Sequence, residues 1–300
     1  MLSQFIAHDR SLEVRISRAA SNRLQSAGVA KVTIRAADTS WTLHWGEIRQ
    51  HRELLYFLTW RDIKVRYKQT VLGVVWAILQ PLAIALSLTV FLGRVVHLPS
   101  GELPYPVFTY MGMLLWQLFA QSLTESSNSI LTNERLISKT YFPRILVPLS
   151  AVLASLFDFA ISLLVLALFL IYFRVAPAAS AAFLLVFVLP ATLASLGAGL
   201  WLSALNVKYR DIRYTVNFLT QFWFLATPIA YPTSVVPERW RPLYELNPMV
   251  GAVEGFRWAL RGQGAFPVQA VAFSMMTAAA LSITGLYYFR RTEDTFADFI

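Results

Sequence analysis

The chain has 300 residues, 56% of them hydrophobic and only 14% charged, with a mean hydropathy of +0.52. A soluble globule of this composition would leave too much apolar surface in water, so most of the chain is expected in lipid. The formal charge of +9 does not indicate a nucleic-acid partner, because the basic residues cluster at the ends of apolar segments, and the absence of Cys excludes disulfides, thiolate metal sites and cysteine nucleophiles.

Residues 1–40 are polar and irregular; VTIRA at 32–36 reads as a short strand, and no function is assigned to this extension. MLSQFIAHDRSLEVR lacks the apolar core of a cleaved secretory signal. Residues 41–68 read as a helix that Asp38 or Ser40 can cap, with Tyr56, Trp60, Ile63 and Tyr67 recurring on one face and Leu54, Leu58 and Val65 on the other. Two apolar rows and the basic run Arg61, Lys64, Arg66 and Lys68 place it along the interface between lipid and the chain's own bundle; a solvated basic helix is the alternative. That run abuts an uncharged stretch in RDIKVRYKQTVLGVVWAILQP, as in a chain entering a bilayer from its cytoplasmic side.

Six apolar segments follow, at about 71–93, 105–124, 145–173, 181–205, 214–232 and 267–289, each expected to span roughly 30 Å of hydrocarbon. The expected architecture is therefore an all-α membrane protein in which residues 69–300 form a six-helix transmembrane domain behind the interfacial helix. All but six of the 26 Lys and Arg fall on the side of the two termini, the exceptions being Arg94, Arg174, Arg239, Arg241, Arg257 and Arg261. The positive-inside rule then puts both termini in the cytoplasm.

In the second segment Tyr110, Gln117, Gln121 and Glu125 share a side, with Trp116 and Phe119 nearby; the fifth repeats the theme with Asn217, Gln221 and Phe224. Polar groups are costly in lipid, so these are expected to face the bundle interior, lining a wet path or bonding neighbouring helices. Amide and aromatic surfaces suit sugars. Asp158 is the one charge within a span and marks function by default, though alone it is poor evidence for a proton relay. The small-xxx-small pairs Ala194/Ala198 and Ser195/Gly199 allow close helix packing.

Between the second and third segments, NSILTNERLISKTYFPRILVP reads as a short projecting helix: Asn133 caps it, Glu134 opens the turn and Pro143 ends it. Leu136 and Ile137 would form an apolar edge flanked by Glu134, Arg135 and Lys139, suited to a peripheral partner; a plain connector is the alternative. After the fifth segment, Asn247-Pro248 starts a helix and Gly262 stops it, with Val250, Val253, Phe256 and Leu260 as an apolar stripe and Glu254 able to pair with Arg257 or Arg261. A re-entrant or interfacial helix at the outer mouth is one reading, a packed lid the other. No phosphate loop, HExxH, GxSxG or metal cluster occurs in the sequence, so an energy source is expected elsewhere.

The motifs ELLYFLTWRDIKVRYKQTVLGVVWAILQP, LISKTYFPRILVP, NVKYRDIRY and ELNPMVGAVEGFRWALRG, in this order and spacing, resemble the bacterial ABC-2 type permeases that export polysaccharides and polyol phosphates such as O-antigen, capsule and teichoic acid. The resemblance covers residues 54–290. It implies an inner-membrane, multi-pass permease that pairs with itself and with two copies of a separate ATPase, which would bind ATP and Mg, while this chain carries no cofactor. The substrate implied is a lipid-linked polysaccharide. It further implies that Asn133, Glu134, Arg135, Leu136, Ile137, Lys139 and Tyr141 form a coupling helix for that ATPase. The resemblance places Tyr56, Trp60, Arg61, Lys64 and Tyr67 in the interfacial helix and Trp240, Asn247, Phe256 and Arg257 in outer gate helices, while the polar faces read above make Tyr110, Trp116, Gln117, Gln121, Asn217, Gln221 and Phe224 the expected translocation path. An ion-coupled carrier using Asp158 and an integral-membrane glycosyltransferase are the competing classes. The first should show inverted repeats and several buried charges, the second carboxylate-rich loops, and neither feature occurs.

Overall fold

A computed structural model of the chain describes residues 45–68, 73–98, 103–209 and 211–296, and they contain helices and turns but no strand. The expected strand at 32–36 and the caps Asp38 and Ser40 lie outside the described residues. The helices are α1 Trp45–Gln50, α2 Arg52–Lys68, α3 Gly73–Leu88, α4 Tyr105–Thr132, α5 Glu134–Lys139, α6 Leu146–Tyr172, α7 Val188–Lys208, α8 Ile212–Leu225, α9 Arg241–Glu245, α10 Pro248–Arg261 and α11 Val268–Thr292. Among the described residues, three helical stretches are long and apolar enough to cross a membrane: Leu146–Tyr172, Ala179–Lys208, which joins a 3-10 segment to α7, and Val268–Thr295.

Two of the other expected spans differ for physical reasons. Helix α4 has 28 residues, ample length, but its Gln, Ser, Thr and Glu side chains lower its hydropathy, and it is buried as the core helix rather than lipid-facing. Helix α8 has 14 residues, about 21 Å at ~1.5 Å per residue, so the fifth segment does not span as one helix; it ends at Leu225 and the chain turns. The first expected span is continuous: α3, which carries Pro81, runs directly into a π-helical stretch, Thr89–Val95.

Helix α7 sits at the centre, packed on α4 and α11, while α4 also packs on α6 and α2 lies across α6. The α7–α11 seam depends on Gly197 and Gly285: a Cβ on either would collide with the backbone of the other helix. The closest approach of α11 falls at Gly197, between the members of the expected pairs 194/198 and 195/199 rather than at one of them. Gly199 instead admits the Ser126 side chain of α4.

Two apolar clusters divide the bundle. The larger joins α4, α6, α7 and α10 around Tyr110, Phe119, Phe187 and Phe256. The smaller, at the end that carries α2 and α5, gathers Leu58, Ile130, Ile137, Phe142, Leu146, Leu200 and Phe289.

Candidate functional site

Polar groups concentrate at three places: the junction of α2, α4 and α6, the short helix α5, and the turn and helix from Ala226 to Arg261.

At the junction, Asp158 lies near the middle of α6, its side chain only 8% exposed. A lone carboxylate there would cost several kcal/mol to bury. Three groups offset that cost: the Arg66 guanidinium and the Tyr67 hydroxyl, both from the end of α2, donate to it, as does the Gln121 amide of α4 at 2.8 Å. Arg66 also reaches Glu125 at 3.4 Å. One turn earlier on α2, Asp62 accepts from Ser150 of α6 at 3.2 Å and is held by Arg61 at 2.8 Å. These bonds clamp α2 to the bundle.

Asp158 is thus an ion-paired strut, with both lone-pair faces engaged. Arg66, which the sequence offers only as one of a basic run, is its counter-ion. The available signal was that a deep carboxylate needs a cation and that no other charge lies in its own span.

The same junction revises the expected faces of α2. Leu54 and Leu58 pack inward, but Val65 is 62% exposed, not in their row. Tyr56 and Trp60 face outward, stacked at 6.5 Å with Lys64 over the Trp60 ring, while Tyr67 turns in to Asp158. The single helix expected from residue 41 is interrupted at His51 within the described residues.

Helix α5 follows α4 after a break at Asn133. Asn133 does not cap it with its side chain; the amide donates backward to the Ser129 carbonyl at 2.8 Å and closes α4. Ile137 is buried in the smaller cluster and Leu136 packs on it, so the apolar edge expected to face a partner faces the chain's own core. Exposed on α5 and just after it are Glu134, Arg135, Lys139 and Tyr141, the last 84% accessible.

The residues grouped as a path are divided. Tyr110 and Gln121, eleven positions apart and so on one helical face, both turn to α6: the Tyr110 hydroxyl donates to the Ser162 carbonyl at 3.2 Å, and Gln121 binds Asp158. Trp116 turns instead to α8, where it meets Phe224 at 5.5 Å beside the Phe119–Trp223 contact. Gln117 is half-buried, and Asn217 and Gln221 are exposed on the free face of α8. Within one chain the amides of α4 and α8 do not come together.

The third place begins where α8 ends. Chain that leaves a helix at membrane depth must find partners for its backbone groups. Asn247 supplies several. Its amide donates to the Ala226 carbonyl at 2.9 Å, and its side-chain oxygen accepts from Trp223 Nε1 at 2.8 Å and from Met249 N at 3.0 Å, capping α10. Gly262 ends α10 with φ of 66°. The stripe Val250, Val253, Phe256 and Leu260 is buried as its spacing predicts.

Arg257 departs from expectation: it is buried, not on a polar face. It donates to the Ile229 carbonyl at 2.6 Å and the Phe108 carbonyl at 3.3 Å, and its guanidinium lies 3.5 Å from the Phe108 ring. Glu254 pairs with Arg257 at 3.6 Å rather than with Arg261. The Tyr105 hydroxyl also donates to the Ala230 carbonyl, so Tyr105, Asn247 and Arg257 together tie the 226–230 turn to α4 and α10. Trp240 remains exposed, with Arg239 over its ring.

Comparison with known proteins places these features in a family. Residues 53–260, from α2 through α10, match the family described as ABC-2 type transporter. The chain is similar to the O-antigen export system permease protein RfbA of Klebsiella pneumoniae, 29% identical over 249 residues that cover 83% of this chain and 95% of the relative. It is 31% identical to the protein of the same name from Myxococcus xanthus over 214 residues, 70% of this chain and 81% of that one. Similarity to the polysialic acid transport protein KpsM of Escherichia coli is 27% over 239 residues, 78% of this chain and 91% of the relative.

Proposed function

The chain belongs to the ABC-2 type transporter family, and from that premise we propose that it is the permease subunit of a polysaccharide exporter of the inner membrane, driven by a separate ATPase. The observation that carries the reading is the match across residues 53–260, which takes in the clamp helix, the core helix α4, α5 and the capped helix α10 together. The relatives named for O-antigen export and polysialic acid transport support polysaccharide as the substrate class. A membrane transport subunit, not an enzyme, follows from the family. The ion-coupled carrier reading gains no support from Asp158, whose carboxylate is taken up by Arg66, Tyr67 and Gln121 as a link between three helices.

In this reading the chain crosses the membrane six times, α4 supplying the second crossing and α8 with the 226–247 turn the fifth. Both termini and α5 lie in the cytoplasm, on the side richer in Lys and Arg. Two permeases and two ATPases form the exporter. ATP and Mg bind the ATPases, and closure of that pair pushes on α5 through Glu134, Arg135, Lys139 and Tyr141. Helix α5 is rooted in the smaller cluster through Ile137, so displacement passes into α4 and α6. The Asp158 strut joins the same two helices to α2. A lipid-linked polymer passes along the exposed amides Asn217 and Gln221, which exchange hydrogen bonds between water and sugar hydroxyls. Helices α9 and α10 stand at the outer mouth.

Removal of the gene from its host tests the reading. Surface polysaccharide should disappear and lipid-linked polymer should accumulate inside, and restoration should require both this chain and a functional ATPase subunit. Unchanged surface polymer in the deletion strain would refute it. For the path, Gln221→Cys in this Cys-free chain should react with a water-soluble thiol reagent during turnover, and export should stop on labelling; a labelled complex exporting at full rate would remove α8 from the path.

A further inference from the structure

We propose that the cavity beneath α10 binds one pyranose unit of the exported polymer, a ring hydroxyl bridging the Glu254 carboxylate and the Arg257 guanidinium. The inference rests on the polysaccharide reading above and assigns that polymer a contact of its own. The cavity has a volume of about 280 Å3, with Phe108, Ser234, Glu254, Arg257, Trp258 and Arg261 among its walls. Small-molecule sites run from about 300 to 1,000 Å3, so this one has room for a single ring rather than a run of chain.

Its chemistry is unfinished. Arg257 spends Nη2 on the Phe108 and Ile229 carbonyls, while Nε and Nη1 have no hydrogen-bond partner although the side chain is only 6% exposed. Glu254 Oε1 is also without a hydrogen bond, 3.6 Å from Arg257 Nη1, beyond hydrogen-bond range. Buried groups left in this condition are costly, and a ligand that satisfies both regains what they lack.

The pair selects that ligand. An anion would satisfy the guanidinium and meet the carboxylate at once, and a cation would meet the reverse. An uncharged hydroxyl accepts from Nη1 and donates to Oε1 through one oxygen once the Glu254 side chain, 23% exposed, swings aside to admit it, because both atoms are closed off where they face each other as an ion pair. A pyranose presents such hydroxyls on neighbouring carbons, and its apolar C–H groups suit the half-buried Trp258 wall. Arg261, exposed at the rim, offers a second donor to the same ring. One weak pocket of this kind can hold each unit briefly and release it to the next.

The test uses the purified full-length chain in lipid nanodiscs, with saturation-transfer NMR against glucose, galactose, mannose, rhamnose and N-acetylglucosamine, and with glucuronate and inorganic phosphate as anionic probes. At least one neutral sugar should receive saturation. Glu254→Gln, which keeps the shape and removes the charged acceptor, should weaken it about tenfold. Ala265→Trp, placed at an exposed position in the cavity wall, should block it with the thermal transition unchanged. No neutral sugar bound, binding of glucuronate or phosphate alone, or binding that both variants leave intact would overturn the proposal. The export reading fails separately: if deleting the gene leaves surface polymer in place, that reading is wrong. If deletion abolishes surface polymer while both variants export and bind sugar as the unaltered chain does, only the cavity assignment is wrong.

Discussion

The two ends of this bundle are held by different mixtures of hydrogen bond. At the α2–α5 end, side chains bond side chains across whole helices: Arg66, Tyr67 and Gln121 to Asp158, and Ser150 to Asp62. At the α10 end, beside the Trp223–Asn247 and Tyr231–Tyr244 side-chain bonds, many side chains bond backbone carbonyls: Arg257 to Phe108 and Ile229, Asn247 to Ala226, Tyr105 to Ala230, and Ser180 to Ala259 at 2.8 Å. Intact helices satisfy their own backbone, so their side chains are free to bond one another, and such pairs can be broken and remade when helices shift. Broken chain at the α10 end has no such freedom, because its carbonyls need fixed donors. In the export reading proposed above, the first end is the one that shifts and the second keeps an irregular stretch of backbone in place.

The largest effect is expected where the backbone depends on one side chain. Arg257→Ala strips the 226–230 turn and the start of α4 of a charged donor. It should lower stability by about 3–5 kcal/mol, seen as reduced yield and an earlier thermal transition of the purified protein. Arg257→Lys, with no planar fork to reach both carbonyls, should restore only part of this.

The seam between the ends comes next. Gly285→Ala forces α11 away from α7 at Gly197 and should cost about 1–3 kcal/mol without favouring either end. Loss of only one end's packing, read by hydrogen exchange, would show that the two ends fold separately.

Asp158→Asn removes the charge that neutralises Arg66, a partly exposed guanidinium, and should cost about 1–3 kcal/mol. The double variant Arg66→Met with Asp158→Leu should recover most of that stability yet export poorly if the pair must open and close during turnover. Full export by the double variant would make the junction simple glue and erase the contrast between the ends.

Smallest in stability and largest in function is the surface of α5. Arg135→Glu with Lys139→Glu changes exposed side chains only, so stability should move by less than about 0.5 kcal/mol while copurification with the ATPase is lost. Leu136 is unsuited to this test, because it packs on the smaller cluster.

How far each end could be read from sequence follows the same division. Helix α10 was legible because Asn247, Pro248 and Gly262 signal its ends locally and its stripe has helical period. Leu58 turning inward followed from its position. That Asp158 needs a cation was legible, but not that Arg66 supplies it, since the two stand 92 positions apart and nothing in either neighbourhood names the other. Nor was the inward turn of Ile137, because a short amphipathic helix buries its apolar edge on whichever surface is nearer, partner or self. The Gly197–Gly285 contact escaped the small-xxx-small pattern because the close approach involves one glycine from each helix rather than a repeat along one.

Reconstitution tests the central claim most directly. The full-length chain, assembled with its ATPase in proteoliposomes and given lipid-linked polymer on the ATPase side, should deliver polymer to the other side only when ATP and Mg are present, and Arg135→Glu with Lys139→Glu should abolish delivery. Polymer transport by the chain without an ATPase, or transport driven by an ion gradient alone, would contradict the account.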